Sequence, residues 1–306
     1  MLNLLLFSLL GVIWGSSFLL IKIGVRELDA FSLVAGRMSI AALAFGIVLL
    51  ASQQVVARKA SDLLKLAVVG VLNSSLPFVL IAWSEQWLDS SLAGVLNATT
   101  PLFSLIIAHF ALTDDRITAN KLLGLIIGFF GVIVLALRSA DPTHDNPLIA
   151  QLAVLGAGLC YASAAVFVRR YLRGIKPLVV AGSSSIFGAL TIVPITLFVV
   201  NPLPNLSALS ADVLLSVVVL GIVNTFLAYL VFYHILGVWG ASRATMVTYI
   251  IPPISLFIGV VFGNERLDAL LLLGAALIIS GVLFANRAQI QAALSPRRQA
   301  DVPVGD

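Results

Sequence analysis

The chain has 306 residues, 60% hydrophobic and only 10% charged, with a mean hydropathy of +1.10. Soluble domains carry roughly 25% charged residues, so this composition excludes an ordinary soluble enzyme or binding domain. The net charge of +4 forms no basic face or aromatic–basic stripe, which argues against nucleic acid as a partner.

A membrane-crossing helix needs roughly 20 mostly apolar residues. By that measure the sequence predicts about ten spans: 2–22, 30–51, 63–83, 90–110, 119–137, 148–169, 177–200, 211–235, 240–263 and 268–286. The first lacks the basic n-region and cleavage site of a signal peptide, and it has a counterpart in the sixth, so it reads as a mature helix. The single cysteine, Cys160, rules out an intramolecular disulfide and reads as a small buried hydrophobe within the sixth span. The connections at Ala51–Ser61, Leu112–Thr118, Ala140–Pro147, Leu172–Pro177, Asn201–Asp212 and Asn264–Asp268 are too short for a soluble domain. From Gln289 onward, with Ser295, Pro296, Arg297 and Arg298, a tail without structure is expected.

The second half repeats the first about 150 residues later. Gly70, Asn73, Pro101, Asp115–Arg116, Gly124 and Gly131 recur as Gly221, Asn224, Pro252, Glu265–Arg266, Gly274 and Gly281. The expected units are therefore 1–139 and 147–287, with a tail at 288–306. If the N-terminus is cytoplasmic, the inner side holds Arg58, Lys59, Lys65, Arg116, Lys121, Arg169, Arg170, Arg173, Lys176, Arg243, Arg287, Arg297 and Arg298. The outer side holds Lys22, Arg26, Arg37, Arg138 and Arg266. This bias puts both termini inside. With five spans in each half, the halves enter the membrane from opposite sides, the inverted repeat on which alternating-access carriers are built. The fold class expected is an all-α membrane protein of two inverted five-helix repeats.

The chain resembles the drug/metabolite transporter superfamily, in its ten-helix branch built from two EamA-type repeats. In the first copy the resemblance rests on Gly11-Val12-Ile13-Trp14-Gly15-Ser16-Ser17-Phe18, Arg37, Pro101 and Asp115–Arg116 before Gly124. In the second it rests on Gly240-Ala241-Ser242-Arg243-Ala244, Pro252 and Gly263-Asn264-Glu265-Arg266-Leu267. It departs at Asp115, where the family more often has Glu, and in the polar stretch Ser84-Glu85-Gln86-Trp87. The resemblance implies export of amino acids and related metabolites, with the aromatic and general amino-acid exporters most similar.

Polar and helix-breaking residues inside a span need a reason, because unsatisfied groups are costly in lipid. Asn73 and Asn224, at equivalent depths, either tie helices together or line a pathway. Pro101 and Pro252 are expected to kink spans four and nine and to free carbonyls for a substrate ammonium, as static bends or as hinges. Asn97 and Thr100 precede the first proline, Thr248 and Tyr249 the second. Trp14 and Ser17 share one face of the first span and match Tyr161 and Ala164 in the sixth; cavity lining or packing would explain them. Phe78, Tyr229 and Tyr233 are further cavity candidates, while Trp83, Trp87 and Trp239 read as interface anchors. Gly11-Gly15, Gly124-Gly128-Gly131 and Gly274-Gly281 permit close helix contact, so spans five and ten read as an interface apart from the pathway.

The carboxylates Glu27, Asp29, Asp62, Glu85, Asp89, Asp114, Asp115, Asp141, Asp145, Asp212, Glu265, Asp268, Asp301 and Asp306 all fall at span ends, in loops or in the tail. His109 and His234 lie near span ends and His144 in a loop. A neutral, largely apolar pathway without a proton-relay residue is therefore expected. No nucleotide-binding glycine loop, metal-ligand cluster or catalytic triad spacing appears, so no cofactor or metal is expected and the chain reads as a carrier rather than an enzyme. The partners implied are a small-molecule substrate and the lipid bilayer of the cell membrane. Efflux of hydrophobic or cationic drugs is the alternative, though it would want an interior carboxylate. An intramembrane lipid-acting enzyme using Cys160 or Ser17 is the alternative of another class, and a scaffold bundle a third.

Overall fold

The computed structural model describes residues 2–53, 59–113, 116–140, 147–200 and 202–294. Among them every regular element is helical. The spans are α1 (Leu2–Gly24), α2 (Ala30–Ala51), α3 (Ala60–Ser84), α4 (Ser90–Ala111), α5 (Ala119–Ser139), α6 (Leu148–Tyr171), α7 (Pro177–Val199), α8 (Ala211–Trp239), α9 (Arg243–Gly263) and α10 (Ala269–Ala285). The first nine are long and apolar enough to cross a membrane, and α10 is apolar but shorter at 17 residues. A short helix, α11 (Arg287–Leu294), follows, so the tail expected to lack structure is helical to Leu294. Alanine, glutamine and leucine are good helix formers, and proximity to the end of α10 helps nucleate the turn.

Span ends are set locally. The Asp29 carboxylate accepts the Phe31 and Ser32 amides at 2.9 and 3.0 Å, opening α2, and Asp268 accepts Leu271 N at 2.8 Å, opening α10. Pro177 begins α7, where its missing N–H costs nothing. Asn264 ends α9 with a left-handed φ of 54°, a conformation asparagine tolerates.

Helices α1 and α6 play matching roles: α1 packs on α8 and α9, α6 on α3 and α4. Helix α2 crosses α7 and α8, α7 crosses α2 and α3, and α5 lies along α10. Hydrocarbon gives no hydrophobic drive between helices, so contact rests on close van der Waals packing. Glycine supplies it between α5 and α10. A Cβ added at Gly124 would stand 2.6 Å from the Gly281 carbonyl oxygen, and one at Gly131 2.8 Å from that of Gly274. The outer surface is apolar: Leu50, Phe110 and Phe198 are at least four-fifths exposed, as lipid-facing residues should be.

Four spans depart from regular α-helix in their interior among the described residues, and α5 ends in a 3₁₀ turn at Leu137–Ala140. Helix α3 contains a π-helical stretch at Val71–Ser75 and α8 one at Ile222–Leu227. Helix α4 is interrupted at Ala98–Thr99, and α9 passes through a 3₁₀ segment at Met246–Tyr249. Kinks within continuous helices were expected at Pro101 and Pro252. Instead each proline sits in the first turn of a second helical segment, Thr100–Ala111 or Ile251–Gly263. The reason is the same missing N–H, which the first turn tolerates and a helix interior does not.

Candidate functional site

The two π-helical turns face each other's half of the bundle and carry the candidate site. A π-turn widens the helix by one residue and leaves backbone groups for other partners, which is why such turns recur at functional sites. The glycine before each turn lets a crossing helix approach. A Cβ at Gly70 would meet Phe187 Cβ at 2.6 Å on α7, and one at Gly221 would meet Ile40 Cβ at 2.8 Å and the Arg37 carbonyl at 3.0 Å on α2. This close approach accounts for the repeated glycines of the sequence.

In the α8 turn, Thr225 Oγ1 donates to the Leu220 carbonyl at 2.8 Å and accepts from Arg37 Nε at 2.9 Å. Arg37 is only 4% exposed, and its guanidinium carbon lies 3.8 Å from the centre of the Phe78 ring. The ring face is negative, so it lowers the cost of burying the cation. No carboxylate lies within ion-pair distance of Arg37 among the described residues. Tyr161 meets Phe78 edge-on, with ring centres 6.4 Å apart.

In the α3 turn, Asn73 Nδ2 donates to Tyr229 Oη at 2.9 Å and reaches Ser184 Oγ at 3.4 Å, while the Ser74 and Ser184 hydroxyls are 2.9 Å apart. Tyr229 also meets Trp14 edge-on at 6.1 Å and stacks on Tyr233 at the same separation. Asn224 is buried and ties α8 to α1, donating to the Ile13 carbonyl, to Ser17 Oγ at 2.9 Å and to Ser16 Oγ at 3.2 Å. The two asparagines differ for a sequence reason. Ser17 gives Asn224 a partner on α1, but its counterpart on α6 is Ala164, so Asn73 reaches across to Tyr229.

Of the residues singled out in the sequence, Trp14, Ser17, Asn73, Phe78, Tyr161, Asn224 and Tyr229 belong to this connected cluster. Thr248, Tyr249 and Pro252 do not; they line another cleft with Ala98 of α4 and Ile279, Val282 and Leu283 of α10. The α4 break packs on Gly158 of α6, with Thr100 Oγ1 3.1 Å from where a Cβ would stand. The Asn97 carbonyl that Pro101 cannot bond is not open to a substrate, because Thr100 Oγ1 donates to it at 2.8 Å. Thr248 Oγ1 is likewise spent on the Thr245 carbonyl at 2.8 Å. Asp115, paired with Glu265 in the repeat, lies outside the described residues.

Sequence reasoning missed the charges. Arg37, grouped above with outer-side cations, is buried in the bundle, and Arg138 is also buried, 2.7 Å from Asp268. The interior expected from the sequence to be neutral therefore holds a guanidinium. An arginine well inside span 30–51 was the available signal. Its partner Thr225 was not singled out. Glu85, in the turn after α3, is fully buried. Lys22 Nζ donates to the Glu85 and Leu88 carbonyls at 2.8 and 2.9 Å, and neither Glu85 carboxyl oxygen has a hydrogen-bond partner among the described residues. Burial pushes that carboxyl well above the usual range, against the smaller opposing pull of Lys22. Beside it, Glu265 accepts the Ser90 and Ser91 amides at 2.7 and 2.9 Å, clasping the start of α4 to the end of α9.

A model of the EamA-like transporter family matches residues 1–137 and again 148–287. An uncharacterized transporter of Archaeoglobus fulgidus is 28% identical over 90% of this chain and 95% of its own length. A protein named a probable terminal-alkyne amino-acid exporter, from Streptantibioticus cattleyicolor, is 26% identical over 95% of this chain and 94% of its own. The Escherichia coli protein named a probable amino-acid metabolite efflux pump is 25% identical over 90% of this chain and 91% of its own. One crystal structure superposes with a TM-score of 0.66 over 95% of this chain and 98% of its own at 18% identity, a likeness of fold. With apolar helices of membrane-crossing length and both family matches spanning them, the chain belongs to the EamA-like transporter family and is a multi-pass protein of the cell membrane.

Proposed function

We propose that this chain exports amino acids or related small metabolites from the cytoplasm by alternating access, with substrate held in the cluster around Arg37. The carrying observation is a matched pair of contacts: Arg37 with Thr225, and Ser184 with Ser74, both at 2.9 Å. One joins α2 to the π-turn of α8, the other α7 to the π-turn of α3. The packing of α1 and α6 follows the same exchange of halves. This supports two five-helix units, 1–139 and 147–287, related by an axis in the membrane plane, with both termini cytoplasmic by the lysine and arginine bias. Two inverted units can exchange inward and outward roles, and the helix breaks ahead of Pro101 and Pro252 are the places where α4 and α9 bend.

The names of the curated relatives support the substrate class. No proton relay runs through the pathway in this reading. Its charged group is a guanidinium, which stays protonated, and Glu85 lies in the turn beyond α3. Efflux of hydrophobic cations is disfavoured by the same central positive charge. A lipid-acting enzyme would need an activated nucleophile, and among the described residues neither Ser17 nor Cys160 bonds a histidine or a carboxylate. Uptake of a panel of labelled amino acids into proteoliposomes tests the reading. Saturable flux of at least one, with or without a pH gradient, is expected; no flux above empty liposomes for any of them rejects it.

A further inference from the structure

The geometry points to Arg37 as the anchor for a carboxylate on the transported molecule. This rests on the export reading and names what the site selects: a small organic acid or amino acid with a free carboxylate, rather than an amine or a neutral solute.

A guanidinium offers five N–H donors in a planar fork. At Arg37, Nε is used by Thr225, and one face of the guanidinium plane lies against the Phe78 ring. The two terminal nitrogens have no hydrogen-bond partner among the described residues, yet they are not among the side-chain atoms sealed away without one, so they stay accessible although the residue is only 4% exposed. Thr225 and Phe78 thus hold the fork still and leave free the edge that binds a carboxylate bidentately. The Tyr161 hydroxyl is in the same condition, bonding no described residue and not enclosed. Its ring centre lies 6.4 Å from that of Phe78, over which the guanidinium sits, so it supplies a second donor in the same cluster.

Charge balance makes the same point. A buried cation in a span is expensive unless paired. The nearest internal carboxylate that acts on it, Glu85, is beyond ion-pair distance, and the matching position on α7 is Ser184, which carries no charge. The site therefore holds one positive charge without an ion-pair partner among the described residues, its terminal nitrogens still accessible. An arriving carboxylate supplies the missing partner, whereas a cation would meet repulsion.

The test uses the purified full-length protein in nanodiscs. Binding of L-leucine and L-phenylalanine is measured beside their carboxamides, and 3-phenylpropionate beside 3-phenylpropionamide. In the wild type each acid should bind at least ten-fold tighter than its amide. Arg37→Gln should weaken the acids ten-fold or more without weakening the amides, and Arg37→Lys should recover part of the loss. Acids and amides binding alike in the wild type overturns the anchor, and this comparison needs no variant to fold. Equal loss of acids and amides in a monodisperse Arg37→Gln protein also overturns it, marking Arg37 as structural. If neither amino acid nor its amide binds, the amino-acid reading fails separately, and the phenylpropionate pair still decides the anchor. Absence of binding by all six compounds rejects both.

Discussion

Arg37 and Ser184 are each the eighth residue of their helix, and each is held at 2.9 Å by a hydroxyl from the π-turn of the helix it crosses. The geometry is shared but the chemistry is not: one contact is charge-assisted and the other neutral. Thr225→Val, which keeps the shape and removes the acceptor, leaves a buried Arg37 N–H unpaired and should destabilise the protein by about 1–3 kcal/mol. Ser74→Ala should cost about 1 kcal/mol, since a neutral serine pair is lost. Thermal unfolding in one detergent compares them, and equal shifts would show that the charge adds nothing.

The α5–α10 contact should be intolerant of size. Gly281→Val drives a side chain into the Gly128 amide, 2.4 Å from the added Cβ, and the Gly124 carbonyl at 2.6 Å. Backbone cannot yield as a flexible side chain can, so a loss of roughly 3 kcal/mol or more, or failure to fold, is expected. Gly46 in α2 has nothing within 4 Å of its Cβ position. Gly46→Ala should be neutral or stabilise by about 0.5–1 kcal/mol. Similar melting temperatures for the two variants would refute the packing argument.

Glu85 sets a pH dependence of stability. Its carboxyl is raised by burial in the folded protein, so no penalty exists below the unfolded value of about 4.3. As pH rises through the folded value, ionising the buried group costs free energy and the protein becomes less stable. Glu85→Gln removes the titration, so stability from pH 5 upward should fall less steeply than in the wild type. Because the pathway reading has no proton relay, Glu85→Gln should also leave proteoliposome flux within about two-fold. Loss of flux with an intact fold would instead put Glu85 in the transport cycle.

Orientation can be read with single cysteines in a Cys160→Ser background. Arg173→Cys, after α6, should resist membrane-impermeant thiol reagents in intact cells, and Asn205→Cys, between α7 and α8, should label. Labelling of Arg173→Cys from outside contradicts the inverted arrangement.

The breaks in α4 and α9 should act oppositely if the halves exchange roles. Pro101→Ala and Pro252→Ala each restore a donor and favour a continuous helix. Flux should fall in both, while a cysteine at Ser17 becomes more accessible from one side in the first variant and from the other in the second. Unchanged flux in both variants would make the breaks static.

The spans and the repeated markers were legible in the sequence because each depends on neighbours along the chain. Hydropathy over some twenty residues shows a span, and Gly70 and Gly221 recur with their asparagines. Even the candidate site was half visible: Asn73 and Asn224 stood out as polar groups lipid does not favour, and Trp14, Phe78, Tyr161 and Tyr229 as aromatics able to line a cavity. Partners and depth were decided only by the tertiary structure. Arg37 meets a hydroxyl 188 residues away, and Asn73 a phenol 156 residues away. Whether a charge faces water, lipid or an interior cleft depends on which helices cross it, and hydropathy averaged along one helix contains nothing about that. Prolines were misjudged for a related reason: the same missing N–H permits a kink or a fresh helix start, and packing around Ala98–Thr99 and Met246–Tyr249 selected the second.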